Sequence, residues 1–153
     1  MLFADFHVGQ VIHAGPLRVT EPEIIAFAKQ FDPQWFHTDP ERAARGRWQG
    51  LIASGWHSCA LAMRMACDAI LIGSESFASP GIDSLRWKHP VRPGDELRLR
   101  CEVTEVRRSS GGSSGVVVWR WHLHNQNDIA VLEMDATSLF DLSAAASGGR
   151  AHG

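Results

Sequence analysis

Asp32 and His37 lie five residues apart in the stretch FDPQWFHTDPERA, Phe31 to Ala43. A carboxylate and an imidazole on one short segment can hold a water between them and move its proton. Histidine ordinarily titrates near neutrality, which makes His37 the better general base of the two. Asp32 would position the water, share in proton delivery, or both. The same segment also reads as a capped link between two helices, and spacing alone leaves both readings open.

The elements around the pair narrow the choice. Thr20 and Glu23 form a T-x-x-E capping box, and Ile24, Phe27, Ala28 and Phe31 follow at helical spacing. Asp32-Pro33 ends that helix, because a residue before proline avoids the helical region. A carboxylate gains little beside a helix C-terminus, which is electrostatically negative, so Asp32 has no evident structural reason to be there. Asp39-Pro40-Glu41 reads as the start of a second, short helix, with Asp39 as its N-cap. His37 falls in the proline-stiffened connection between the two.

From Trp56 to Ile72 the chain reads WHSCALAMRMACDAILI, with only Arg64 and Asp68 charged. A helix apolar nearly all round is buried in protein or spans a membrane. At a length of about 25 Å it is short for a bilayer, so burial in a protein core is expected, with Gly73 as a left-handed cap. After Gly73 the period changes. Leu85 to Val91, Glu96 to Val106, Val116 to His124 and Ile129 to Phe140 read as strands. Arg92-Pro93-Gly94-Asp95 and Gln126-Asn127-Asp128 read as turns, and SSGGSSG from Ser109 as a flexible hairpin loop. The expected fold is α+β: an antiparallel sheet wrapped around one long buried central helix. One domain over 1–142 is predicted, followed by a disordered tail over 143–153.

Composition removes several function classes. The formal charge of −2 comes from 15 basic and 17 acidic residues, well mixed, which argues against a nucleic-acid partner. MLFADFHVGQ lacks the basic cap and apolar run of a signal peptide, so a cytoplasmic protein is expected. Cys59, Cys67 and Cys101 have no metal-type spacing and read as free thiols. Trp119 and Trp121 are better placed in a core or interface than against a cofactor. His122 and His124 lack a third ligand and read as a surface strand rather than a metal site. Arg86, Lys88, Arg92, Arg98 and Arg100 suit either coenzyme A phosphates or a solvated sheet face.

Three segments resemble the MaoC-like hydratases and dehydratases, including the (R)-specific enoyl-CoA hydratases, a family with the hotdog fold. Asp32 and His37 match the acid and histidine of its D-x-N-P-x-H signature. GLIASGWHSCALA, Gly50 to Ala62, resembles the family's entry to the central helix. HPVRPGDELRLRCEV, His89 to Val103, is similar to its PV-x-x-GD strand pair. The departure lies inside the first motif, where Gln34 replaces the asparagine, proline sits at 33 rather than 35, and Trp35 and Phe36 add bulk.

The resemblance implies hydration of a trans-2-enoyl-CoA, or dehydration of the (R)-3-hydroxyacyl thioester, with Asp32 and His37 acting together. It implies Gly55 N–H as donor to the thioester oxygen. A first-turn N–H has no intrahelical acceptor, glycine permits close approach, and the helix dipole favours negative charge there. Trp56 N–H is the second candidate donor. Ser54 and His57 adjoin it and either line the cleft or serve capping and packing. No metal or redox cofactor is expected, coenzyme A entering as part of the substrate. A homodimer or dimer of dimers is implied. Two alternatives are an acyl-CoA thioesterase on the same fold and a non-catalytic acyl-CoA or acyl-carrier binding module.

Overall fold

The structure, a computed structural model, describes residues 1–144. A 3-10 turn at Phe3–Asp5 precedes β1 (Val11–Arg18). Three helices follow: α1 (Glu21–Phe31), α2 (Trp35–Thr38) and α3 (Pro40–Ala44). After a non-helical approach comes α4 (Gly55–Ala66), extended by a π-helical turn at Cys67–Leu71. Four strands complete the chain: β2 (Ser76–Trp87), β3 (Glu96–Arg108), β4 (Ser114–His124) and β5 (Ala130–Asp141). They form one antiparallel sheet in the order β1-β3-β4-β5-β2.

Alternation decides which face of this sheet is covered. Leu97, Leu99, Cys101 and Val103 of β3 are buried, as are Val117, Trp119, Trp121 and Leu123 of β4. They form one core cluster with Ala62, Met65 and Ala66 of α4 and Ile70 of the π-helical turn. Phe6 meets Trp119 edge-on at 5.6 Å between ring centroids and lies 5.3 Å from Phe140, closing one end of the core. Trp119 and Trp121 are thus core residues. His122 and His124 stack on the opposite face at 6.1 Å, with His122 Nδ1 3.6 Å from Glu133.

α1 and α3 begin where the sequence places them, whereas His37, read as lying in the connection between them, sits on the helical turn α2. Thr20 Oγ1 accepts from Glu23 N, and the Glu23 carboxylate accepts from Thr20 N, so the capping box is closed. Asp39 caps α3 by accepting from Arg42 N at 3.0 Å. Gly73 has φ +80°, the left-handed conformation that stops the central helical run.

Three features differ from the sequence reading. The edge strand β1 is present although no strand was expected there, since its pattern VIHAGPLR is broken by glycine and proline. β2 starts at Ser76 and ends at Trp87, leaving His89–Val91 free to turn past the head of α4. The helical run is also less completely buried than its apolar composition suggests. His57, Ser58, Ala62, Met65 and Ala66 are covered, while Trp56 is 58% and Met63 47% exposed. The physical reason is the sheet's extent, because five strands curve around only part of a helix. Phe77, Ile82 and Trp87 on the edge strand β2 are exposed as well. Most of the expected tail lies outside the described residues; Ser143 bonds to the Asp141 carboxylate.

Candidate active site

Asp32 is the C-cap of α1, its N–H still bonded to Ala28 O at 2.8 Å. Pro33 turns the chain, and the single turn of α2 carries His37 back toward the acid. His37 Nε2 lies 3.3 Å from Asp32 Oδ2. The two side chains are 6% and 17% exposed, so the contact is shielded but not sealed. Spacing in the sequence has become contact in the fold.

Each member of the pair is held from behind. Asp32 Oδ1 accepts from Gln34 Nε2 at 2.8 Å, and Oδ2 accepts from the Ser54 hydroxyl at 2.7 Å. Burial pushes the Asp32 carboxyl up, but the bonds from Gln34 and Ser54 and the charge of His37 outweigh it. The result lies below the ordinary aspartate value. His37 Nδ1 is 2.7 Å from Ile52 O, and a carbonyl oxygen can only accept, so Nδ1 carries the proton. In the neutral ring Nε2 is then a bare lone pair facing Asp32. Two acceptors in contact leave one place for a proton, and a water proton can fill it.

The backbone that presents these groups is tied together in a few bonds. Ile52 N donates to Phe36 O at 3.2 Å, joining the approach of α4 to α2. Ala53 N donates to Val91 O at 2.8 Å, joining the same segment to the strand connection. That connection is fixed by Asp95, which accepts from Arg92 N and from Gln126 Nε2, both at 2.9 Å.

Ser54 is the hinge of the arrangement. Fully buried, it is the N-cap of α4, accepting from Trp56 N at 3.3 Å while its hydroxyl donates to Asp32. His57 and Ser58 N–H both reach Ser54 O. Among the described residues, Gly55 N–H is left without an acceptor, at the positive end of the twelve-residue α4. Trp56 N–H, the second candidate, is already taken up by the cap. Ser54→Ala should cost about 1 kcal/mol of stability through the lost cap. A fall in the urea unfolding midpoint with unchanged m-value checks this.

A cavity of about 260 Å³ opens beside His37, with Asp32 behind the histidine rather than among the lining residues. His37, Ile52, Ala53, Gly55 and Ser58 form one side, Trp87 to Val91 the other, and Trp48 part of its wall. His57 faces elsewhere: it is buried and stacks on Phe27 at 4.6 Å between centroids. Burial lowers its pKa, only partly countered by Glu23. Trp56 is exposed and meets Trp87 edge-on at 5.2 Å.

The bulky insertion between Asp32 and His37 does not fill the cavity. Trp35 packs under the Arg42 guanidinium, 4.5 Å from its ring centroid, and over Gly46. Phe36 lies against His37 at 4.3 Å. Gln34, a mere departure from the signature in sequence, turns out to bond the acid. Trp87 was not singled out from sequence. Its signal is there, an aromatic just before the PV-x-x-GD segment, but only folding shows that it lies across Gly55.

Comparisons with known proteins identify the family and the fold. Residues 5–120 match the family model described as MaoC like domain. An uncharacterized Bacillus subtilis protein, YdeM, is 30% identical over 139 residues, covering 91% of this chain and 98% of its own length. The 3-hydroxyacyl-thioester dehydratase Z of Mycobacterium tuberculosis is 31% identical over 97 residues, 62% of this chain and 64% of that protein. The crystal structure of the MaoC-like dehydratase from Rhodospirillum rubrum superposes with a TM-score of 0.82 at 33% identity, covering 90% of this chain and 94% of that one. The α+β sheet and central helix are a hotdog fold, and the chain belongs to the MaoC-like domain family.

Proposed function

We propose that the protein adds water to a trans-2-enoyl thioester, or removes it from the (R)-3-hydroxyacyl thioester in the reverse direction. The observation that carries the proposal is the fixed tautomer of His37. Its Nδ1–H is committed to Ile52 O, so the basic nitrogen is the one that meets Asp32, on a histidine that lines the cavity. A water on the cavity side of His37, bonded to Nε2 beside the Asp32 carboxylate, loses a proton to His37 as its oxygen bonds to the β-carbon. The α–β double bond opens toward the thioester, and its oxygen takes negative charge beside Gly55 N–H. The imidazolium, stabilised by Asp32, then supplies the proton to the α-carbon. One water is consumed and no electrons leave the substrate, so the scheme needs no metal or redox cofactor. Coenzyme A is the proposed handle.

The relative from Mycobacterium tuberculosis carries the name of a 3-hydroxyacyl-thioester dehydratase, which supports this substrate class. A homodimer and a cytoplasmic setting belong to the same reading. The exposed side chains of Trp56, Met63, Phe77 and Ile82 provide an apolar face for a second copy. Among the described residues, no helix is long and apolar enough to cross a membrane.

Crotonyl-CoA and trans-2-decenoyl-CoA test the activity by loss of enoyl absorbance. Turnover of at least one is expected. If neither is consumed, the proposal is wrong. Thiol release from saturated acyl-CoA would instead identify a thioesterase.

A further inference from the structure

Gln34 touches both members of the acid/base pair, one through its side chain and the other through its backbone. Its amide Nε2 donates to Asp32 Oδ1 at 2.8 Å. Its carbonyl oxygen accepts from His37 N at 3.0 Å and from the Thr38 hydroxyl at 3.2 Å. Its own N–H donates to Asp32 O at 2.8 Å. Gln34 is also the N-cap of α2, yet its side chain makes no cap bond. Serine, threonine, aspartate or asparagine would serve a helix start better. The long amide is committed to the acid instead of to its own helix.

That bond bears on which way the carboxylate faces. The terminal torsion of aspartate is broad and nearly two-fold, so its oxygens exchange readily unless each is held. Gln34 holds Oδ1, and Ser54 holds Oδ2, the oxygen that meets His37 Nε2. An amide N–H only donates, so the Gln34 contact favours the anion over the neutral acid. A protonated Asp32 would donate to Nε2 and occupy the lone pair on which water activation depends. Among the described residues, His37 is the titratable group that faces Asp32, and the other side chains bonded to the acid, Gln34 and Ser54, are neutral. Gln34 is itself exposed, so it supports the acid without belonging to the core.

We infer that Gln34 is a positioning residue: by holding Asp32 Oδ1 it keeps the carboxylate anionic and turned so that Oδ2 meets His37. Its effect on turnover rests on the enoyl-thioester reading, whereas its hold on the acid is measurable without any substrate.

The test compares the full-length wild type with Gln34→Leu, Gln34→Glu and Thr38→Val. Leucine has no donor, and glutamate keeps the shape but brings an acceptor and a charge. Valine removes the Thr38 bond to Gln34 O without touching the acid. With crotonyl-CoA at neutral pH, Gln34→Leu should lower kcat about tenfold and leave KM nearly unmoved. Gln34→Glu should lower it further, and Thr38→Val should stay near wild type. NMR of the isotope-labelled Asp32 carboxyl gives the second readout. Its titration midpoint should move to higher pH in both Gln34 variants, since each loses the donor that stabilises the anion, and should stay in place in Thr38→Val. A tie that merely braces α2 would make Thr38→Val and Gln34→Leu alike in both readouts, which overturns the inference. Wild-type turnover with either readout unchanged in the Gln34 variants also overturns it and leaves the hydratase reading intact. A raised midpoint without enoyl turnover in any of the four proteins upholds the hold on the acid and sinks the hydratase reading. Circular dichroism melts establish folding first, and Gln34→Glu carries the test if Gln34→Leu does not fold.

Discussion

His37→Gln should lower kcat for enoyl-CoA hydration by about 10³-fold, with KM moved far less. Glutamine retains an amide that can reach Ile52 O but has no basic atom with which to take a proton from water. The loss should therefore fall on the chemical step. Asp32→Asn is expected to reduce kcat by about 10²-fold or more. The amide removes the negative charge facing Nε2; with its nitrogen at that position it donates to the lone pair and occupies the base, losing the bond that the same atom accepts from Ser54. Steady-state kinetics on crotonyl-CoA distinguish these outcomes from loss of binding. Near-wild-type kcat in both variants would remove the pair from the mechanism.

Asp32 also makes a pH prediction that is independent of turnover. Its pKa in the folded chain lies below the ordinary value, despite the opposing effect of burial, because Gln34, Ser54 and His37 stabilise the anion. Such a group stabilises the fold above its unfolded pKa, about 3.9 for aspartate, and that contribution disappears as pH falls through the folded value. Asp32→Asn should consequently unfold at lower urea than wild type at pH 7. The two midpoints should converge in acid below the ordinary aspartate range. A constant gap across that range would mean that the difference does not arise from ionisation.

How much of this was legible in the sequence depends on whether the causes are local. The Thr20–Glu23 box, the Asp39 cap and the Gly73 stop are decided within a few residues, and each forms where its side chains demand. The alternation of Leu97, Leu99, Cys101 and Val103 is likewise a property of one strand, and it correctly places the covered face. β1 escapes because glycine and proline interrupt its pattern, and only pairing with β3 makes it a strand. For the site, the spacing of Asp32 and His37 suggests a pair, but the tautomer of His37 is set by Ile52, fifteen residues away, through a backbone carbonyl that no side-chain pattern reveals. The position of Trp87 is still less local. Its contacts with Gly55 and Trp56 cross about thirty residues of sequence and exist only because the end of β2 comes to the first turn of α4.

Gly55→Ala should damage both the fold and the site through a single methyl. The added Cβ has no room: it overlaps the Trp87 indole, and the backbone that would have to move carries Ser54, the residue bonded to Asp32. Overpacking of this kind costs about 1–3 kcal/mol, visible as a lower urea midpoint. The proposed donor to the thioester oxygen is the N–H of the same residue, so kcat/KM should fall by about 10²- to 10³-fold. Pairing the change with Trp87→Ala separates its two causes. Removing the indole relieves the overlap, and the unfolding midpoint should recover most of the difference between Gly55→Ala and Trp87→Ala alone. Turnover should not recover with it, since the methyl still intrudes on the space beside the N–H where the thioester oxygen approaches. Should the double variant regain the activity of Trp87→Ala, Gly55 would be required only to make room for Trp87, and the oxyanion role would pass to another donor.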